Sequence, residues 1–274
     1  MRRVFPTPEG VELELKLAAG SIELATTDAA ETVVELERLD GAELEPDEAR
    51  IEHRHASEGA DRVVVAVERR TRLFGTSRQY RLRVYAPHGA AADVATASAD
   101  VHGHGRFGSV AVRAASADVA FETVAGALTA KTASGDVSVE LVEGPATVQT
   151  ASGDVRLGRT VADVSVRSAS GDVAVDEADG GVNVATASGD VRVASVAHGV
   201  VEIQSASGDL TVGVARGASV WVDARSTSGD LVSELELDEQ APGDGDGPLV
   251  ELRLNSLSGD IRLVRAADRP VGSR

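Results

Sequence analysis

The chain has 274 residues, long enough for one large domain or two ordinary ones, with 27 basic and 44 acidic residues and a net charge of −17. An acidic surface repels nucleic-acid phosphates and anionic lipid, so neither is expected as a partner without a local basic patch. There is no cysteine, which excludes disulfides and thiolate metal sites.

The chain begins MRRVFPTPEGVELELKL, without an apolar run of the signal-peptide kind, and nothing approaches the ~18–20 apolar residues of a membrane span. Read as it stands, it predicts a cytoplasmic protein with no direct membrane insertion. VELELKL (11–17) and SIEL (21–24) flank AAG, and ETVVELERL (31–39), DRVVVAVERR (61–70) and RQYRLRVYAP (79–87) follow, all alternating like strands. EPDEARIEHRHASEGA (45–60) reads as an exposed connection. Arg69, Arg70, Arg72, Arg78, Arg81 and Arg83 form a modest cluster beside Glu68, read as a solvated strand face. Residues 1–90 are therefore assigned as an N-terminal β-rich cap, because an open stack of strands needs its ends covered.

Residue 91 begins a periodic region. The marker Ser-(Gly/Ala)-Asp ends at Asp100, Asp118, Asp136, Asp154, Asp172, Asp190, Asp209, Asp230 and Asp260, in steps of 18, 18, 18, 18, 18, 19, 21 and 30. Each unit holds two short alternating runs, such as Val137, Val139 and Leu141, then Ala146 and Val148 after the Gly144-Pro145 break. Alternation rich in β-branched residues marks half-buried strands. Two five-residue strands and two turns consume about eighteen residues, and so small a unit buries its apolar face only by stacking. The expected fold is all-β: a parallel β-solenoid (β-helix-like) of about nine coils, with about 18 residues and two strands per coil. It spans residues 91–265, with 266–274 as a flexible tail. Each coil is expected to lie on its predecessor, so that the last one, ending near Val264, closes the far end. The 30-residue step accommodates DEQAPGDGDGP (238–248) as a protruding polar loop. Scarce aromatics (Phe5, Phe74, Tyr80, Tyr85, Phe107, Phe121 and Trp221) suit a thin core.

Stacking turns every repeated residue into a column. Ser and Asp of the marker are read as structural, accepting backbone N–H bonds within the turn, with Gly easing the corner. A file of carboxylates also admits calcium, with Asp136, Asp154, Asp172 and Asp190 as the ligands of a β-roll-like module. The second acidic loop of a calcium β-roll is missing from the opposite turn, and GDGDG (243–247) fails the EF-hand frame at Pro242 and Arg253. Carboxylates ~5 and ~10 Å apart also sit near glycosidase separations, so a polysaccharide-acting β-helix enzyme is a third reading. Near-identical turns cannot push an acid and a base apart in pKa, and Trp221 stands alone as a stacking residue. The column before the marker (Thr96, Ala114, Thr132, Thr150, Ser168, Thr186, Ser205, Ser226 and Ser256) is placed inward by parity. His53 with His55, and His102 with His104, are i,i+2 pairs of a spacing zinc can use, but no third ligand is evident and exposed histidines are expected.

AAGSIELATTD, Pro87-His88-Gly89 and the serial A-S-G-D-V with alternating valines resemble bacterial β-strand-repeat proteins assigned as putative adhesins, a domain of unknown function. The resemblance implies a non-enzymatic β-solenoid, in some members attached to the cell envelope, and carries over no catalytic residue. The expectation is an acidic structural scaffold without catalytic residues, cofactor or metal. It would recognise an unknown protein or glycan partner through an outward strand face, the 238–248 loop or a solenoid end. End-to-end self-association is a further expectation.

Overall fold

The computed structural model describes residues 1–45, 47–55, 59–67, 78–235 and 248–267. Among them there is no helix, hence none able to cross a membrane, and there are twenty-three strands. The N-terminal set is β1 (Arg2–Pro6), β2 (Val11–Thr27), β3 (Glu31–Arg38), β4 (Ala49–Arg54), β5 (Asp61–Val67), β6 (Tyr80–Pro87) and β7 (Ala91–Phe107). Then come β8 (Val110–Ser116), β9 (Val119–Val124), β10 (Leu128–Ser134), β11 (Val137–Val142), β12 (Ala146–Ser152), β13 (Val155–Thr160), β14 (Val164–Ser170) and β15 (Val173–Ala178). The last eight are β16 (Val182–Ser188), β17 (Val191–Val196), β18 (Gly199–Ser207), β19 (Leu210–Val214), β20 (Ser219–Ser228), β21 (Leu231–Ser233), β22 (Leu249–Ser258) and β23 (Ile261–Arg265).

The fold is a parallel β-solenoid. From β8 on, the strands fall alternately on two faces, and each pairs in parallel with its equivalent one coil away: β8, β10, β12, β14, β16 and β18 on the first face, β9, β11, β13, β15, β17 and β19 on the second. The eighteen-residue register stacks Val137, Val155, Val173 and Val191 in one file, and Val148, Val166 and Val184 in another. All of these are at most 1% exposed. Short branched side chains fill the narrow space between the sheets, and burying each contributes about 1.5–3 kcal/mol. Near the N-terminal end Phe107 and Phe121 meet edge to face, centroids 5.3 Å apart. Gly103 makes that possible, since a Cβ there would lie 2.2 Å from the Phe121 ring.

Both ends depart from chain order. At the C-terminal end β22 pairs with β18 on one side and β20 on the other, and β23 lies between β19 and β21. The last coil in sequence is thus inserted beneath its predecessor, and residues 219–233 close the stack; the expected sequential order fails here. The physical reason is apolar content. Val250, Leu252, Leu254, Ile261 and Leu263 are fully buried, whereas Val220, Val222 and Ala224 are only partly covered and Leu231 is 53% exposed. The more apolar coil takes the position with a neighbour on both sides. The 238–248 loop lies outside the described residues except for Pro248, whose carbonyl accepts from the Ser219 N–H at 3.0 Å. Of the tail assigned to 266–274, residues 268–274 also lie outside them.

The N-terminal end mirrors this. The long strands β2 and β7 each run through both faces, pairing over Glu12–Leu17 with Ala91–Thr96 and over Ala19–Ala25 with Ser98–His104. The outer side of β2 carries β5 on the first face and β6 on the second. Residues 11–27 therefore form a full coil inside the stack, making eleven layers in all and an axis of about 50 Å. Antiparallel strands end the parallel ladder: β4 against β5, β3 against β6, and β1 against β3. The connection expected across 45–60 thus contains strand β4, with Ile51 7% exposed.

Candidate binding surface

Every marker aspartate among the described residues lies in one file along a corner of the solenoid. The Asp136 Oδ1 accepts the backbone N–H of Asp154 at 2.8 Å, Asp154 that of Asp172 at 2.9 Å, and Asp172 that of Asp190 at 2.8 Å. The chain of bonds begins at Asp100 and Asp118 and runs on through Asp190, Asp209, Asp260 and Asp230, following the inserted order of the last coils. Each bond crosses from one coil to the next, whereas the sequence suggested bonds within the turn. Each of the eight accepting carboxylates, Asp100 through Asp209 and Asp260, thus fastens two layers through a charge-assisted bond. Beside it, Gly153 has φ +134°, and a Cβ there would stand 2.3 Å from the Gly135 carbonyl oxygen. Ala117 and Ala99 hold the equivalent place in earlier coils.

The hydroxyl column points inward: Thr132, Thr150, Ser168, Thr186, Ser205 and Ser256 are at most 8% exposed. Thr132, Ser168, Thr186 and Ser205 each donate to the carbonyl two residues on, at 2.9–3.2 Å. Thr150 Oγ1 and Ser256 Oγ are buried without a hydrogen-bond partner.

Outward residues on the first face are unlike the rest of the molecule. Over β8, β10, β12, β14 and β16 they form three files: Ala111, Thr129, Thr147, Ser165 and Asn183; Arg113, Lys131, Gln149, Arg167 and Ala185; and Ala115, Ala133, Ala151, Ala169 and Ala187. All fifteen are exposed or half-buried and none is acidic. The area extends about 19 Å along the axis and about 13 Å along the strands. Two contiguous shallow depressions of about 880 and 790 Å³ cross it, meeting at Arg167 and Ser168. Arg113 is bound to Asp93 at 2.8 Å, while Lys131 and Arg167 make no ion pair among the described residues. Two coil steps separate those two cations, about 9.6 Å. The second face has no such area, since Glu140 and Asp176 stand among Arg156 and Arg192.

The arginines near residue 80 are paired, Arg81 with Glu37 and Arg83 with Glu23 across strands, and Arg78, just before β6, with the buried Glu48. Arg69, Arg70 and Arg72 lie outside the described residues. His104 Nδ1 meets Glu122 Oε1 at 3.0 Å, and the Gly105 N–H, followed by His104, holds that carboxyl below the usual range. Trp221 is 38% exposed on the outward side of β20.

A family model for Toastrack DUF4097 matches twice, over residues 9–159 and 64–263. The chain belongs to the Toastrack family. Two overlapping matches are what a repeating ladder produces, because the model can be laid on it in more than one register. This Toastrack chain is also similar to solved structures. A putative adhesin from Bacteroides fragilis aligns with a TM-score of 0.52 at 10% identity, over 96% of each chain, which supports the fold. A putative adhesin from Parabacteroides distasonis aligns with a TM-score of 0.41 at 12% identity, again over 96% of each chain. No functionally curated protein matches the Toastrack chain.

Proposed function

We propose that the protein is a non-enzymatic scaffold that binds an extended partner, a protein segment or glycan bearing anionic groups, along the first face. One observation carries this reading. A chain with net charge −17 keeps fifteen adjacent outward positions free of carboxylates and sets Lys131 and Arg167 there unpaired. Spacing of about 4.8 Å per coil suits a linear ligand lying along the axis. The uniform aspartate file argues against catalysis, because an acid and a base need different surroundings to separate their pKa values. An adhesin-like role agrees with the name of the Bacteroides fragilis structure.

Glycan-array binding and pull-down from native cells, wild type against Lys131→Glu/Arg167→Glu, test the proposal. The double variant should lose binding at least about tenfold with an unchanged melting curve, and added salt should weaken the wild type. A partner bound equally by both proteins would overturn the face assignment. Polysaccharide turnover abolished by a single Asp substitution would overturn the non-enzymatic reading.

A second reading, end-to-end self-association, is supported by the outermost coil. Among the described residues no strand pairs with the outer edge of β20, and Leu231 and Val232 are 53% and 45% exposed beside it. Such an edge is a template for another strand. Two β20 strands paired antiparallel about Ala224 would set Asp223 of each copy against Arg225 of the other, a favourable cross-strand pair. Sedimentation should show a concentration-dependent dimer that Asp223→Arg or Arg225→Asp abolishes and that mixing the two variants restores. A monomer at every concentration would refute it.

A further inference from the structure

The hairpin formed by β4 and β5 carries a cluster that belongs neither to the aspartate file nor to the first face. His53 lies opposite Val63 in the antiparallel register, so two positions on His55 comes opposite Asp61. His53 and His55 project to the same side by strand parity, and Asp61 projects there with Val63 and Val65, the inward side of β5. His53 Nε2 lies 2.9 Å from Asp61 Oδ2, and His55 Nδ1 lies 2.7 Å from Asp61 Oδ1. The three ligand atoms all fall within 4.8 Å of one another. The i,i+2 histidine pair is visible in the sequence; its third member, eight residues beyond His53, is supplied by the hairpin.

We propose that His53, His55 and Asp61 form a divalent-metal site with zinc as its fitting occupant. Two imidazoles and a carboxylate are a donor set zinc takes, with the fourth position left to water. Tetrahedral zinc with bonds of 2.0–2.2 Å has ligand–ligand edges of about 3.3 Å. The two histidine–aspartate contacts of 2.9 and 2.7 Å need to open by about half an ångström as metal replaces the bridging protons, and any wider pair, all lying within 4.8 Å, needs to close toward the same edge. The cluster is also anchored. Asp61 is 4% exposed in its side chain, pairs with Val11 of the first coil, and donates its N–H to the Gly10 carbonyl at 3.2 Å. The Phe5 ring leans on His53 with centroids 5.2 Å apart. His55 stands 78% exposed and provides the open side through which an ion and its water enter. Burial explains the choice of partner. A carboxylate held this far from water is costly unless paired, and a dication beside it offsets that cost.

Isothermal titration of EDTA-stripped protein with Zn²⁺ tests the proposal. One zinc per chain should bind and raise the melting temperature. His55→Ala, a substitution at an exposed position that leaves the core intact, should weaken binding by at least about tenfold, as should Asp61→Asn. His102→Ala/His104→Ala should bind zinc like the wild type. Absence of saturable binding by the wild-type protein would overturn the site and leave only histidine–aspartate hydrogen bonds. Zinc bound equally by His55→Ala, or lost only in the His102→Ala/His104→Ala variant, would overturn it as well.

Discussion

Replacing Asp154 by Ala removes one rung of the inter-coil ladder. The Asp172 N–H, 2.9 Å from Asp154 Oδ1, then loses its side-chain acceptor, while the backbone bond from Val137 N–H to the Asp154 carbonyl is untouched. A hydrogen bond to a charged group contributes about 1.5–3 kcal/mol, and because this corner is exposed, water recovers part of it, leaving about 1 kcal/mol. Asn keeps the Oδ1 acceptor and removes one of a file of like charges about 4.8 Å apart, whose mutual repulsion in water is about 0.9 kcal/mol per neighbour. Asp154→Asn should therefore stay within about 0.5 kcal/mol of the wild type. Since layers contribute nearly independently in a solenoid, replacing Asp136, Asp154 and Asp172 together by Ala should cost about 3 kcal/mol. Thermal and urea unfolding measure this, and the triple variant should melt at least about 6 °C lower. Calcium should leave both wild-type and variant curves in place. If Asn cost as much as Ala, or if calcium stabilised only the wild type, the carboxylate charge rather than its acceptor geometry would be what the fold uses.

Further expectations follow from single side chains. Thr150→Val removes a buried hydroxyl that has no partner and should raise stability by up to about 1 kcal/mol, whereas Thr186→Val, which forfeits a bond to the Ser188 carbonyl, should lower it; chemical denaturation compares them. Glu122, held below the ordinary carboxylate range by the Gly105 N–H and by His104, contributes stability that is present above its unfolded-state pKa and is lost as pH falls through the lower, folded-state value. Glu122→Gln should therefore flatten the acid limb of a plot of melting temperature against pH, and an unchanged limb would contradict the assignment. Gly153→Ala should destabilise measurably, because its Cβ meets backbone oxygen in a left-handed conformation.

The solenoid was legible because its physics repeats. The valine files and the inward threonine column follow from period-two parity, and the constant step of 18 fixes the register for as long as it lasts. The order of the last coils was not legible. Residues 219–233 and 249–265 carry the same marker and the same alternation, and only the weight of their apolar side chains decides which is sandwiched. Strand β4 escaped notice since charged Arg50, Glu52 and Arg54 alternate with a single large apolar residue, Ile51. The sequence reads Asp154 as an acceptor within its own turn, and that its acceptor serves the neighbouring coil depends on stacking geometry that one repeat does not reveal. The acid-free face is present in the sequence at every eighteenth position, and it becomes a surface only when the coils are in register. Asp61 could be joined to His53 and His55 only by the hairpin.

Both the binding face and the reordered end depend on which coil lies on which, and cysteine cross-linking reads that directly in a chain that has no cysteine of its own. Arg253 stands beside both Glu202 and Asp223, while those two are separated by a full intervening layer, about 9.6 Å. A disulfide needs Cα atoms about 4.4–6.8 Å apart. Glu202→Cys/Arg253→Cys should oxidise readily to a cross-linked monomer and Glu202→Cys/Asp223→Cys should not. Cross-linking of the second pair and not the first would show the coils stacked in simple chain order and contradict the architecture.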